Sequence, residues 1–259
     1  MTQMTQPDST AQFDTVAALL RDAPKIAVLT GAGMSAESGI ETFRQPQTGL
    51  WARYDPMELA STGALERDPE MVTRWYHWRF SKCADARPNP GHEALGKLQA
   101  RKRGIGGDVD VLTQNIDGLH QAGGTQDVVE LHGSILRWRC QKTGERRPIQ
   151  EVDFSDFPPT SQAGGVLRPD IVLFGEMLPT DAIEAAERAV MSCDLFLTIG
   201  TSAVVYPAAG YIDLAISRGV PTVEINPDAT PMTSSVTHAL RGPSGVVLPE
   251  LLRRIEVVA

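Results

Sequence analysis

The run KIAVLT at residues 25–30 is a short apolar block that stops at glycine, and the stretch behind it reads GAGMSAESGIETFR (31–44). So short an apolar run, ended by glycine, reads as a strand buried on both faces, and such strands belong to parallel sheets covered by helices. Gly31 and Gly33 allow a tight turn and close backbone approach. Amides at the start of a following helix would then face an anion such as a pyrophosphate. Ser35, Ser38 and Arg44 are hydroxyl and guanidinium groups of the kind a phosphate takes, and Phe43 could cover a planar ring or exclude water. A plain strand-to-helix turn would also carry G-A-G, and the third glycine of G-x-G-x-x-G is missing.

The pattern recurs. FDTVAALLRDA puts Val16, Leu19 and Leu20 at helical spacing. VDVLTQN (109–115), DLFLTIGTS (194–202) and VPTVEIN (220–226) are further strands. DPEMVTRWYHWRFSKCA (68–84) has Asp68 as N-cap, Pro69 at the first helical position and Glu70 in the first turn. NPGHEALGKLQA opens another helix, YPAAGYIDLAISRG forms one after the third strand, and LPELLRRI closes the chain. Strands alternating with helices predict an α/β fold, a mostly parallel sheet with helices on both faces. Between 133 and 169 the alternation fails and Gly, Pro, Ser and Gln dominate, which predicts an irregular smaller lobe. Residues 1–12 are polar and aperiodic and predict a frayed tail.

A net charge of -8 argues against nucleic acid as a partner, since phosphate binding needs clustered cations. The basic clusters RKR (101–103) and ERR (145–147) read as solvated charge. Cys83, Cys140 and Cys193 are far apart, with no disulfide framework, which suits a reducing cytoplasm. No signal-peptide pattern and no apolar run of roughly 20 residues predict a cytoplasmic protein without a membrane partner. The sequence leaves the oligomeric state open, with a monomer as the default.

Two further constellations carry chemistry. TQNIDGLH (113–120) lies where a parallel strand ends, the edge on which such sheets bind ligands. Asn115 and Asp117 face one way on an extended segment, and their amide and carboxylate could hold a ribose hydroxyl and a carboxamide; an Asx-turn ending the strand would look the same. ELHGS (130–134) sets His132 before a glycine at the border of the irregular lobe. His92 and His120 read as capping or packing residues, while His77 and His238 carry no assignment.

GAGMSAESGIETFR, TQNIDGLH, LHGS, RPDIVLFGE, GTSAVVYPA and EIN occur in this order over about residues 14–257, and together they resemble the sirtuin family of NAD-dependent protein lysine deacylases. The resemblance implies a Rossmann-like domain (13–44, 88–132 and 170–259) and a small lobe (45–87 and 133–169) with NAD, consumed as a co-substrate, between them. It implies that Gly31, Ala32, Gly33, Ser35, Glu37, Ser38, Phe43 and Arg44 line the pyrophosphate and nicotinamide-ribose region. Gln114, Asn115, Ile116 and Asp117 would surround the nicotinamide ribose and carboxamide. Gly200, Thr201, Ser202, Asn226 and Ser244 would hold the adenosine half. His132 would be the general base, with Asn115 and Asp117 completing the catalytic set. Val172, Phe174, Gly175 and Glu176, in RPDIVLFGE, would meet an acyl-lysine peptide as an added strand.

Tyr76 and Arg79, three apart on one helix face, could bind a carboxylate together. The branch of the family that removes succinyl, malonyl or glutaryl groups resembles this chain there, and its LWARYDP (50–56) keeps a small Ala52 that would leave room for a longer acyl chain. The chain departs from the family at its structural zinc: Cys140 is the one cysteine left in that region, Thr143 stands where C-x-x-C would finish, and SQAGG (161–165) replaces the second pair. One thiolate cannot make a tetrahedral site, so no zinc is expected and packing and turns would hold the lobe. An ADP-ribosyltransferase, an NAD hydrolase or a non-catalytic NAD or ADP-ribose sensor remain as alternatives.

Overall fold

Ile26 and Val28 leave the first strand on one face and Ala27 and Leu29 on the other, and all four are fully buried. A strand apolar on both sides has to lie inside a sheet with helices above and below. The computed structural model describes residues 9–41 and 55–257, so the candidate residues Phe43, Arg44 and Ala52 lie outside the described residues. In chain order the strands are β1 (Lys25–Thr30), β2 (Asp108–Thr113), β3 (Val129–Glu130), β4 (Gly133–Cys140), β5 (Arg146–Pro148), β6 (Leu167–Ile171), β7 (Leu195–Ile199), β8 (Thr222–Asn226) and β9 (His238–Arg241). The helices are α1 (Ser9–Asp22), α2 (Pro56–Leu59), α3 (Thr62–Arg67), α4 (Pro69–Ala84), α5 (Pro90–Arg103), α6 (Leu119–Ala122), α7 (Thr180–Ser192), α8 (Gly210–Ser217) and α9 (Ser244–Val257).

Six strands form one parallel sheet in the order β3-β2-β1-β7-β8-β9. Counted among themselves they run 3-2-1-4-5-6, so the order reverses at β1, and the crevice at the carboxyl ends of β1 and β7 is where such a sheet takes ligands. One face packs Ile26, Val28, Val111, Leu197 and Ile225 against Val16, Leu20, Leu95, Leu98 and Leu251 of α1, α5 and α9. The other packs Ala27, Leu29, Leu112 and Phe196 against Ala186, Val190 and Ile212 of α7 and α8. The two-sided α/β sheet expected from the alternation is therefore present.

Four local expectations change. The segment 1–12 is not all tail, because α1 already starts at Ser9. The helix expected over 206–219 is shorter, Gly210–Ser217, and the closing helix is longer, Ser244–Val257, with Pro249 inside it. The lobe at 133–169 is not irregular, for β4 is the middle strand of an antiparallel sheet in the order β5-β4-β6. Its strands hide from a hydrophobic pattern. The β4–β6 register shifts between Ser134 and Trp138, and β6 buries Arg168, Pro169 and Asp170. Those charges are matched, Arg168 to Glu176 at 2.6 Å and Asp170 to Arg146 at 2.8 Å.

A second core joins this small sheet to α2–α4: Leu59, Val72, Trp75 and Tyr76 pack with Ile135, Trp138, Ile149, Leu167 and Leu173. Phe154 stacks on His77 at 4.1 Å between ring centroids and meets Trp138 edge-on at 5.0 Å. That core continues through Leu173, past residue 169, where the small lobe was expected to end. Among the described residues no group of three or more His, Cys, Asp or Glu is arranged to hold a metal ion. The Cys140 thiol instead lies 3.1 Å from the Ser161 hydroxyl. Among the described residues no helix is long and apolar enough to cross a membrane.

Candidate active site

Where β1 ends, the chain turns against the end of β7 at very short range. The Gly31 amide donates to the Ile199 carbonyl at 3.0 Å and the Gly33 amide to the Gly200 carbonyl at 2.7 Å. A Cβ on Gly31 would lie 2.8 Å from the Thr201 Cα, and one on Gly33 would lie 2.8 Å from the Gly200 Cα. Glycine is thus required by the contact between two turns as well as by any ligand. The helix behind the turn is a short 3-10 segment, Ala32–Ser38, closed by Gly39 at φ 82°. The Gly31, Gly33 and Met34 amides bond inside the protein, so among the described residues the free helix-start amides expected from the sequence reduce to that of Ala32. Gly200 sits at φ +61°, and a Cβ there would fall 2.3 Å from the Met34 nitrogen. The variant Gly200→Ala is expected to lose about 1–3 kcal/mol and to melt at least about 2 °C lower, with weaker dinucleotide binding in a titration. Unchanged melting and affinity would contradict this.

β2 delivers the second group to the same crevice. The Asn115 side-chain amide donates to the Gly31 carbonyl at 3.0 Å and to the Ser35 hydroxyl at 3.1 Å. Both its hydrogens are then used, and what Asn115 offers a ligand is its Oδ1, an acceptor suited to a hydroxyl. Ser35 donates to Asp117 Oδ2 at 2.8 Å, and the Leu119 amide donates to Asp117 Oδ1 at 2.9 Å. Burial pushes the Asp117 pKa up, against these two hydrogen bonds and the positive charge of Arg79. Asn115 and Asp117 do converge, with Ser35 as the link between them.

His132 follows β3. Its Nδ1 lies 3.0 Å from the Gln114 carbonyl. A carbonyl only accepts, so the proton is on Nδ1 and Nε2 keeps a lone pair. Burial lowers the His132 pKa and the bond to Gln114 opposes that in part. The Gln114 side chain reaches the Thr201 hydroxyl at 3.1 Å, and Asn226 at the end of β8 donates to the Thr201 carbonyl at 3.0 Å. Ser202 follows directly and is half-buried. Ser244, at the start of α9, reaches the Met34 carbonyl at 3.4 Å, while Glu37 accepts from the Gly245 amide at 2.6 Å. Ile116 packs on the small-lobe core, and its carbonyl accepts the Ile135 amide at 2.9 Å.

On α4, Tyr76 and Arg79 are buried one turn apart. Burial raises the Tyr76 pKa and lowers that of Arg79, a fall opposed in part by the nearby acidic groups, Asp117 and Glu41 among them. The segment after β6 is more committed than its sequence suggests. The Phe174 amide donates to the Ala60 carbonyl at 2.7 Å and its carbonyl accepts from Thr62 at 3.0 Å. Glu176 is held by Arg168, by Arg139 at 3.0 Å and by the Leu173 amide at 2.9 Å. Among the described residues the Gly175 amide and the Val172 carbonyl have no backbone partner.

Sequence reasoning missed Asn89, which caps α5 and donates to the Met34 carbonyl at 2.8 Å and to Ser38 at 3.2 Å. Its signal was the Asn-Pro helix start; the reach to the glycine turn had none. His92 completes the capping box on Asn89, as its expected capping role required.

The sequence model of the Sir2 family matches residues 31–207. The chain belongs to the Sir2 family. It is 45% identical over 236 residues to an NAD-dependent protein deacylase of Mycolicibacterium paratuberculosis, covering 89% of this chain and 98% of that one. It is 49% identical over 228 residues to an NAD-dependent protein deacylase of Deinococcus radiodurans, covering 86% and 92%. A crystal structure of a Sir2 homologue–NAD complex superposes with a TM-score of 0.86 at 40% identity, covering 95% of this chain and 94% of that one.

Proposed function

We propose that this chain is an NAD-dependent protein lysine deacylase that favours acyl groups ending in a carboxylate, succinyl and malonyl, over acetyl. One observation carries the reading: an imidazole with its Nε2 lone pair available is tied through Nδ1 to the residue preceding Asn115, beside the Asn115–Ser35–Asp117 group at the reversal point of the sheet. The residues fit NAD. The Gly31–Gly33 turn and Gly200 pack backbone to backbone with no room for a Cβ at the ends of β1 and β7, where such a sheet takes a dinucleotide, and the acceptors Asn115 Oδ1 and Asp117 match hydroxyl and carboxamide donors. NAD supplies an electrophilic ribose carbon and nicotinamide as the leaving group.

The protein's part is positioning and proton transfer. Asp117 and Ile116 hold the carboxamide, and the buried surroundings of Asp117 keep water out of that end. Asn115 orients a ribose hydroxyl or the attacking water. His132 takes a proton at Nε2 from the ribose hydroxyls, and the Gln114 carbonyl holds the imidazole in the required tautomer. Thr201, Ser202, Asn226 and Ser244 face the adenosine half. The peptide uses the Gly175 amide and the Val172 carbonyl; Phe174 and Glu176 hold that segment in place.

Tyr76 and Arg79 receive the acyl carboxylate. The Arg79→Met variant is expected to lower desuccinylation by at least about tenfold, the loss of one charged hydrogen bond, while deacetylation changes much less. Purified protein is incubated with and without NAD and matched acetyl-, succinyl- and malonyl-lysine peptides, and nicotinamide release is followed. Equal loss of both activities would remove the acidic-acyl preference. Free ADP-ribose or modified protein in place of O-acyl-ADP-ribose would replace the deacylase reading with another NAD chemistry.

A further inference from the structure

Behind the Asn115–Ser35–Asp117 group runs a buried polar chain that the proposed reaction does not yet use. His120 on α6, Thr30 and Thr113 are all buried. The register of β1 and β2 sets Thr30 opposite Thr113, so their hydroxyls meet, Thr30 donating at 2.8 Å. A hydroxyl has one proton, so the Thr30 oxygen accepts from its other neighbour, His120 Nε2, at 2.9 Å. The imidazole proton is therefore on Nε2, and Nδ1 has no hydrogen-bond partner among the described residues. The chain ends at Thr113 Oγ1, which also accepts the Asn115 amide at 3.1 Å. The His92 ring meets the His120 ring edge-on, with centroids 5.0 Å apart, and packs it in place. A buried unpartnered nitrogen is a cost that a phenyl ring would avoid, and the imidazole is tolerated there for what its other nitrogen holds.

We infer that His120 is a positioning residue for the reaction, acting through Thr30 and Thr113 to fix the Asn115 backbone and with it the loop that presents Asn115 and Asp117 to the cleft. The role as positioning residue rests on the deacylase reading; the hydrogen-bond chain does not. Thr30→Val keeps the shape and removes the relay, Thr30→Ser keeps the hydroxyl, His120→Phe removes the donor, and His120→Gln keeps an N–H near the same place. Steady-state kinetics against NAD and an acyl-lysine peptide are measured on the full chain, with amide hydrogen exchange at Asn115. Thr30→Val and His120→Phe are each expected to lower kcat/KM for NAD about tenfold or more. The double variant should be no worse than the poorer single one, since both cut one chain. Thr30→Ser and His120→Gln should stay within about threefold of the unsubstituted protein, and the Asn115 amide should exchange faster in Thr30→Val than in Thr30→Ser. Unsubstituted kinetics in Thr30→Val, additive losses in the double variant, or equal damage from Thr30→Ser would overturn the inference. So would unfolding of Thr30→Val and His120→Phe alike, which would make the chain a matter of stability alone. If the unsubstituted protein itself fails to deacylate, the functional reading falls, while the exchange of Asn115 still reports whether the relay exists.

Discussion

Replacing His132 with alanine is expected to lower kcat/KM for deacylation by about 10²- to 10⁴-fold, the range that a positioned general base contributes. The imidazole bonds to the protein at Nδ1, through the Gln114 carbonyl. Its removal leaves Asn115, Ser35 and Asp117 bonded to one another, so dinucleotide affinity should change little while turnover collapses. The pH profile supplies an independent check. The base works only when neutral, so the rate is lost as pH falls through its pKa. Burial lowers that pKa from the usual 6.5, which places the acid limb of kcat/KM below pH 6.5. A limb centred at or above 6.5, or a His132→Ala variant that binds NAD poorly yet turns over normally once saturated, would take the base assignment away from this residue.

Acidification from pH 7 to pH 5 is expected to remove about 4 kcal/mol of folding stability through two histidines alone. His92 and His120 are fully buried and neutral. Desolvation pulls His92 down to about 4, and desolvation with the neighbouring His92 pulls His120 down to about 3. Both take up protons near 6.5 once the chain unfolds, so the unfolded state binds more protons throughout the interval. Their contribution is complete above pH 6.5 and is lost as pH falls toward the folded values. His77 and His132 act in the same direction, since burial lowers both. Asp110 and Asp117 act oppositely, because burial raises theirs, but they matter mainly nearer the ordinary carboxylate range. A typical domain has about 5–15 kcal/mol in all, so the effect is large. Urea unfolding at pH 7, 6 and 5 measures it, and His120→Gln should remove about half of the slope. A stability that stays flat to pH 5 would mean that these rings are hydrated in solution.

How legible the molecule was depends on where its polar groups lie. In the six-stranded sheet, β1, β2, β7 and β8 are short runs built on apolar residues and ending in glycine or polar residues and were legible, whereas the two-residue β3 and the polar-ended β9 were not, and candidate ligand-facing residues follow directly behind the legible strands in the chain. Gly31 and Asn115 could therefore be singled out from position, whereas His132, Gly200 and Asn226 were named through the ordered set of motifs. The small sheet could not be read in this way. Its β6 buries Arg168 and Asp170 against partners such as Glu176 and Arg146, and a binary pattern scores such residues as exposed. The order of motifs also could not show which groups of each residue are already spent, as with the Glu176 carboxylate or the Phe174 backbone.

The amino-acid sequence by itself determined the parallel sheet, the places where glycine must stand and the family. Local spacing is enough for the sheet and the turns, because strand and turn preferences act over a few residues, and the ordered set of motifs along the chain carries the family. Only the tertiary structure decided that Ser35 links Asn115 to Asp117, that a cap on α5 reaches the glycine turn, and that His120 speaks to Asn115 through two threonines on neighbouring strands. Those bonds join residues tens of positions apart, 82 in the case of Ser35 and Asp117. Their existence depends on the register of whole strands, which no single stretch of sequence contains.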